Sequence, residues 1–263
     1  MKIPRYSLAS GWRRLLLPIL GLLATGAAGA ASAADLVQTI QTVKPSIVGI
    51  GTYLALRSPA VSFVGTGFVI GDGLTVVTNA HVVPAVIDDE RKESLRVLVP
   101  KGGGAAEPRE AVLVSLDKLH DLAVLKMSGP PLPALRLGDS ASAREGQMLA
   151  FTGFPLTSIL GFHPVTHRGM VSAITVVATP APNSRTLDAK AIVQLQRNAY
   201  EVFQLDGTAY PGFSGSPLYD PETGVVLGVI NKVLNSTKES AITAPSGITY
   251  AIPGNFIRDL LGK

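Results

Sequence analysis

Cysteine is absent from the 263-residue sequence. Disulfide bonding and thiol catalysis are thereby excluded, and stability has to come from a hydrophobic core. Long apolar runs are also missing after residue 34, where nothing approaches the roughly 20 residues of a membrane-spanning helix. There is no internal repeat and no long low-complexity stretch. No acidic residue precedes Asp35. The chain carries a net charge of +4, and Lys2, Arg5, Arg13 and Arg14 account for all of it. Setting those four aside leaves 19 of the 23 Lys and Arg, against 19 Asp and Glu. The basic character therefore belongs to the first residues, and a nucleic-acid partner is not expected.

What is present at the start has three parts. The four cations come first, then the apolar run Leu15–Leu23, then the small residues Ala24–Ala34 with Ala31-Ser32-Ala33 as an A-x-A cleavage site. That layout predicts a secretory signal peptide over residues 1–33 and an exported protein, periplasmic or secreted. The rival reading is an uncleaved anchor, since Leu15–Ala34 has no charge and is about long enough to span a bilayer. Removal would leave no stable membrane insertion. Arg13-Arg14 is a weak match to a twin-arginine signal.

The rest is rich in glycine (27) and proline (19), which favours turns and short strands over a helical bundle. Strands are expected at 46–56, 63–70, 74–78, 95–99, 111–116 and 122–126. A second group is expected at 148–151, 169–177, 202–205, 225–231 and 248–251. Gly71-Asp72-Gly73 reads as a hairpin turn, and 101–110, with three consecutive glycines, as a surface loop. Residues 128–133 read as a link between a part at 34–133 and a part at 134–263. Residues 253–261 read as a closing helix with its proline at the start. Many short strands at such spacing point to barrels or a sandwich.

Three segments carry chemistry. Gly212-Phe213-Ser214-Gly215-Ser216-Pro217 places a serine two residues after a glycine. A nucleophilic serine needs backbone N–H groups aimed at the oxyanion formed by its attack. A glycine at that position lets the N–H groups of Gly212 and Ser214 converge as an oxyanion hole. Thr78-Asn79-Ala80-His81-Val82-Val83 ends an apolar strand with a histidine. Asp121 immediately precedes the strand Leu122–Lys126. Each has a bland reading alone: a surface turn, a structural histidine, a turn aspartate. Together their order is His81, Asp121, Ser214, the order of one kind of catalytic triad. An α/β-hydrolase requires its histidine after the serine, and all four histidines (81, 120, 163 and 167) come before Ser214. A subtilisin-like order would need Asp72, which sits in a Gly-Asp-Gly turn.

These segments resemble the HtrA/Deg group of trypsin-like serine peptidases over roughly Ser46–Leu261. Gly65-Thr66-Gly67-Phe68-Val69-Ile70 is similar to that family's strand before the histidine, and Thr78–Val83 to its T-N-x-H-V-V box. Asp121–Lys126, Leu137–Ser140, Gly169–Ile174, Gly228–Asn231 and Gly247–Pro253 are similar to further boxes. The resemblance implies an all-β fold of two six-stranded antiparallel barrels with a short C-terminal helix. It also implies a serine endopeptidase with His81, Asp121 and Ser214 as triad, acting on proteins or peptides without a cofactor. Two departures stand out. Only 11 residues follow Ile252, so no PDZ domain is expected. Phe213 stands where the family usually has Asn, which keeps open a catalytically silent module that binds peptides or unfolded protein.

The resemblance also locates a primary substrate pocket. Its base would come from Thr208, with Ala209 and Tyr210, and its wall from Ile230, Asn231 and Lys232. Thr208 has no charge to pair with a basic residue, so small or medium aliphatic residues are expected before the scissile bond, with Glu as runner-up through Lys232. His163 and His167 have a metal-binding spacing, but Pro164 lies between them and no metal site is expected.

Overall fold

A computed structural model describes residues 36–84, 90, 92–177, 199–231 and 247–262. The proposed leader, residues 1–33, lies outside them. The described residues begin with helix α1 (Leu36–Val43) and form twelve strands in two closed six-stranded barrels. The first contains β1 (Ile47–Tyr53), β2 (Val61–Ile70), β3 (Thr75–Thr78), β4 (Ser94–Gly102), β5 (Ala105–Asp117) and β6 (Leu122–Met127). The second contains β7 (Met148–Gly153), β8 (Val165–Val177), β9 (Tyr200–Leu205), β10 (Pro217–Tyr219), β11 (Val226–Asn231) and β12 (Thr249–Pro253). A short helix α2 (Thr157–Leu160) follows β7, and helix α3 (Asn255–Leu260) follows β12.

Every neighbouring pair is antiparallel. β1 closes the first barrel on β4, with Gly49 opposite Leu98, and β10 closes the second on β7, with Leu218 opposite Phe151. Closure removes the exposed edges that would otherwise pair with other chains. The order around the first barrel, β1-β2-β3-β6-β5-β4, brings β3 beside β6. Those two strands end side by side, Thr78 opposite Ala123, and so deliver His81 and Asp121 to one rim.

Apolar side chains fill each barrel, as alternation along half-buried strands requires. Val48, Ile50, Val76, Val97 and Leu125 pack within the first, and Leu149, Phe151, Phe203, Leu205 and Phe213 within the second. A third cluster joins them: Phe68, Val77 and Leu122 from the first barrel meet Phe154, Tyr219 and Val229 from the second. Each such side chain contributes about 1.5–3 kcal/mol on burial. The barrels are thus held together by core, without any disulfide.

Several expectations are corrected here. Residues 101–110 are not a loop: β4 runs on to Gly102 and β5 begins at Ala105. Gly102, Gly103 and Gly104 all have positive φ and turn the chain at once, so the polar residues around them pair as strand, Glu107 opposite Val99. β10 at Pro217–Tyr219 was not expected, because three residues show no periodicity. β8 starts at Val165, so His167 lies in a strand. Pro253 ends β12 rather than starting the closing helix, whose first residue is Asn255.

Candidate active site

His81 is carried by a single 3-10 turn, Ala80–Val82, directly after β3. Asp121 closes the β5–β6 turn with φ of 51°, a left-handed conformation that aspartate tolerates better than most residues. The two segments hold one another through main chain and side chain. The Asp121 carbonyl accepts from Ala80 N and Asn79 Nδ2, each at 3.0 Å. The Asp121 carboxylate accepts from the His81 backbone N–H at 2.9 Å and from the ring, Nδ1 to Oδ2, at 2.6 Å. A carboxylate acceptor at Nδ1 holds a proton on that nitrogen and leaves Nε2 for other partners.

Ser214 arrives from the second barrel, on the loop before β10. That loop rests on β2. Thr66 N donates to Ser214 O at 2.9 Å, and Thr66 Oγ1 donates to Gly212 O at 2.7 Å while accepting from Phe154 N at 3.0 Å. Gly65 shows how near the serine loop stands to the turn that bears His81. A Cβ added there would lie 2.8 Å from Val82 and 3.1 Å from Ser214 O. Among the described residues no hydrogen bond joins Ser214 Oγ to His81; the imidazole pair is with Asp121 alone.

The main chain at the serine is shaped by Gly212. Its φ is 103°, and a Cβ on it would meet Phe154 O at 2.2 Å. With Gly212 O drawn inward to Thr66, its N–H and that of Ser214 have no acceptor among the described residues. The intervening Phe213 N–H is used, donating to Tyr210 O at 3.1 Å. An oxyanion hole requires donors left free by the protein, and among the described residues these two are free.

Phe213 is fully buried, its ring edge-on to Phe151 at 5.1 Å and tilted against His167 at 4.9 Å. His167 Nδ1 donates to Thr208 O at 3.2 Å, and Ala209 N donates to Thr249 Oγ1 at 2.9 Å. Thr208, Ala209 and Tyr210 are therefore strapped to β8 and β12. Ile230 is buried in the second barrel, and its main chain bonds to Ser216 O and Gly215 N. Asn231 pairs with Tyr250 at the end of β11, and Lys232 lies outside the described residues. His163 sits beside Gly104 and Gly161, whereas His167 faces the second-barrel aromatics, so the two share no partner. Among the described residues no cluster of His, Asp and Glu has metal-binding geometry.

A cavity of about 510 Å³ opens beside the dyad, lined by His81 and Asp121 together with Val83, Pro84, Leu113 and Leu116. A second histidine–carboxylate pair stands close by, His120 Nδ1 to Asp117 Oδ2 at 2.6 Å. Burial opposes ionisation of Asp117, but bonds from the His120 side chain and N–H outweigh it and hold the carboxyl below its usual range. The Tyr200 hydroxyl is pushed up, first by burial and then by the charges of Asp121 and Asp117.

Several of these residues carried no signal of their own. Thr66 is hidden as the centre of Gly65-Thr66-Gly67, where flanking glycines announce close backbone approach. Asn79 and His167 were visible only as part of the box around His81 and of a histidine spacing, and their bonding partners are distant in sequence.

Comparison with known proteins gives three findings. The model of the family described as "Trypsin-like peptidase domain" matches residues 65–229. Among curated proteins, mitochondrial serine protease HTRA2 of Bos taurus is 34% identical over 76% of this chain and 36% of its own length. A probable periplasmic DegP-like serine endoprotease of Halomonas elongata is 32% identical over 74% of this chain and 34% of its own. The chain thus spans about a third of the length of these relatives. Among solved structures, the Rv3671c protease of M. tuberculosis in its active form superposes with a TM-score of 0.61 at 22% identity, covering 86% of this chain and 83% of that one. The HtrA-type protease AlgW with a tripeptide gives 0.62 at 23% identity, covering 87% and 62%.

Proposed function

Because the chain belongs to the trypsin-like peptidase family, we propose that it is a serine endopeptidase that cleaves proteins through an acyl-enzyme. The observation that carries this reading is the bonded His81–Asp121 pair together with two N–H donors, at Gly212 and Ser214, that have no acceptor among the described residues. Ser214 Oγ attacks the scissile carbonyl while His81 Nε2 takes its proton. Asp121 accepts from Nδ1–H and stabilises the imidazolium. The carbonyl oxygen becomes an oxyanion and accepts from the Gly212 and Ser214 N–H groups. His81 then protonates the leaving amine, and a water repeats the sequence on the ester. The hydroxyl and imidazole come into hydrogen-bond contact as substrate seats, since such bonds tighten in the loaded site.

The reading extends to the pocket of Thr208, Ala209, Tyr210, Ile230, Asn231 and Lys232. No acid stands among these residues, so a basic substrate side chain has no partner there, at a cost of several kcal/mol. Small or medium aliphatic residues are favoured before the scissile bond. Export to the periplasm or beyond belongs to the same proposal, on the strength of the leader sequence. No helix among the described residues is long and apolar enough to cross a membrane.

One observation favours a second reading, a silent module that binds peptides: Ser214 and His81 are not hydrogen-bonded to each other. A fluorophosphonate probe separates the two, because it labels only an activated serine. Labelling of the wild type, lost in Ser214→Ala, supports the endopeptidase. An unlabelled wild type that still binds peptide establishes the module instead.

A further inference from the structure

The three residues of the triad are divided between the barrels, His81 and Asp121 on the first and Ser214 on the second. Their register depends on what fastens the barrels at each end of the site. At the serine end the fastening is Thr66. At the aspartate end it is His120, the residue immediately before Asp121, for which the reaction itself has no use. The His120 ring lies flat on Phe256 of α3, centroids 3.8 Å apart and planes 17° apart. Tyr200 of β9 meets it edge-on at 4.8 Å. Both aromatics come from the second half of the chain. Asp117 sets the rotation of the ring through the Nδ1 bond and caps the turn, accepting from Leu119 N and His120 N at 2.9 and 3.0 Å. Ser115 Oγ reaches Leu260 O on the same helix at 3.5 Å.

We infer that His120 is a positioning residue whose stack on Phe256 holds the β5–β6 turn, and with it Asp121, in register with the serine loop of the second barrel. The inference rests on the endopeptidase reading for its kinetic consequence. It acts on the approach of Nε2 to Ser214, so its loss falls on kcat and leaves substrate affinity nearly untouched.

Three variants separate the stack from the turn's own hydrogen bonds. His120→Asn keeps a donor for Asp117 and removes the ring. Its kcat falls about tenfold or more while KM stays within about twofold, as expected for a small misplacement of catalytic groups. His120→Phe keeps the ring and gives up the donor, and its kcat stays within about threefold of wild type. Phe256→Leu, added to His120→Asn, costs little more, because the two act as one contact. Thermal melts give the folded fraction, so rates refer to folded protein. Full kcat in His120→Asn, equal losses in the Asn and Phe variants, or a loss confined to KM would each overturn the inference. Hydrogen exchange at the Ala80 and His81 amides, which donate to Asp121, reads the same positioning without catalysis. Exchange is faster in the Asn variant and unchanged in the Phe variant; identical exchange in all three overturns the inference. A wild type that takes no fluorophosphonate defeats the endopeptidase reading instead, and leaves the exchange result to decide on His120.

Discussion

Phe213→Asn replaces the apolar residue beside the proposed nucleophile with a polar one. The Phe213 ring is fully buried and packs against Phe151 and His167 within the second barrel. Truncating a buried phenylalanine to alanine costs about 3–5 kcal/mol. Asparagine refills part of the space but brings an amide among Leu149, Val171 and Leu218. An unpartnered amide there costs a further ~1–3 kcal/mol, so a net loss of about 4 kcal/mol is expected. For a domain of this size each kcal/mol moves the melting temperature by about 2–4 °C, which puts the shift at about 8–16 °C. The catalytic consequence follows from the same ring. Phe213 anchors the peptide between Gly212 and Ser214, whose N–H groups flank it. Losing one organised donor costs about a hundredfold in kcat. Phe213→Leu keeps the position apolar while giving up some volume and the ring contacts, so it should cost less than Phe213→Asn and keep most activity. Differential scanning calorimetry and single-turnover acylation measure both quantities. An Asn variant that melts and acylates like wild type refutes the anchoring role, and with it the argument that this loop is ordered from the barrel interior.

Ser214→Ala, His81→Ala and Asp121→Asn should each lower kcat by about 10⁴-fold or more, and pairing two should add little because the three act as a unit. Asp117→Asn should stay within about tenfold of wild type; a larger loss there than in Asp121→Asn means that the acid is wrongly assigned. Gly212→Ala should lose about a hundredfold in acylation, since a Cβ would meet Phe154 O at 2.2 Å and shift the loop that carries the Gly212 N–H; retained activity would show that this turn does not need a glycine to present its donors. Stability should fall on acidification. The Asn255 amide and the Ala141 N–H hold the Asp139 carboxyl below its usual range, and hydrogen bonds from His120 do the same for Asp117 against the opposing effect of burial. Groups lowered in the folded state leave the unfolded chain to bind protons first, so their contribution is present above about pH 4 and drains below it. Asp139→Asn should flatten the decline in melts between neutral and acidic pH, and an unchanged slope would discount this carboxylate.

The strands of the first barrel were legible where they carry runs of Val, Ile and Leu bounded by turn residues. The hairpin at Gly102–Gly104 was misread for a physical reason. Lys101, Glu107 and Arg109 look like loop residues, yet on a strand they pair with one another, Arg109 Nε to Glu107 at 2.8 Å. The pairing of His81 with Asp121 was legible because two separate segments each put a chemical residue at the end of an apolar strand. What brings Ser214 to them was not legible. Thr66 and Gly212 are 146 residues apart, and a threonine between two glycines says nothing about its partner. The same applies to Phe213, whose burial is decided by Phe151 and His167. The sequence marks it as a departure, and only packing says what it does.

Thr66 has one further consequence, which concerns time rather than geometry. It belongs to β2, made early in the chain, yet it grips Gly212 and Ser214, made late. Until the second barrel has closed, there is nothing for it to grip. Until the first has closed, the serine loop has no surface to lie on. On the endopeptidase reading, proteolytic competence therefore cannot precede the completion of either half. On the same reading, a partly folded copy has no organised nucleophile, and it is open to being cut before it can cut.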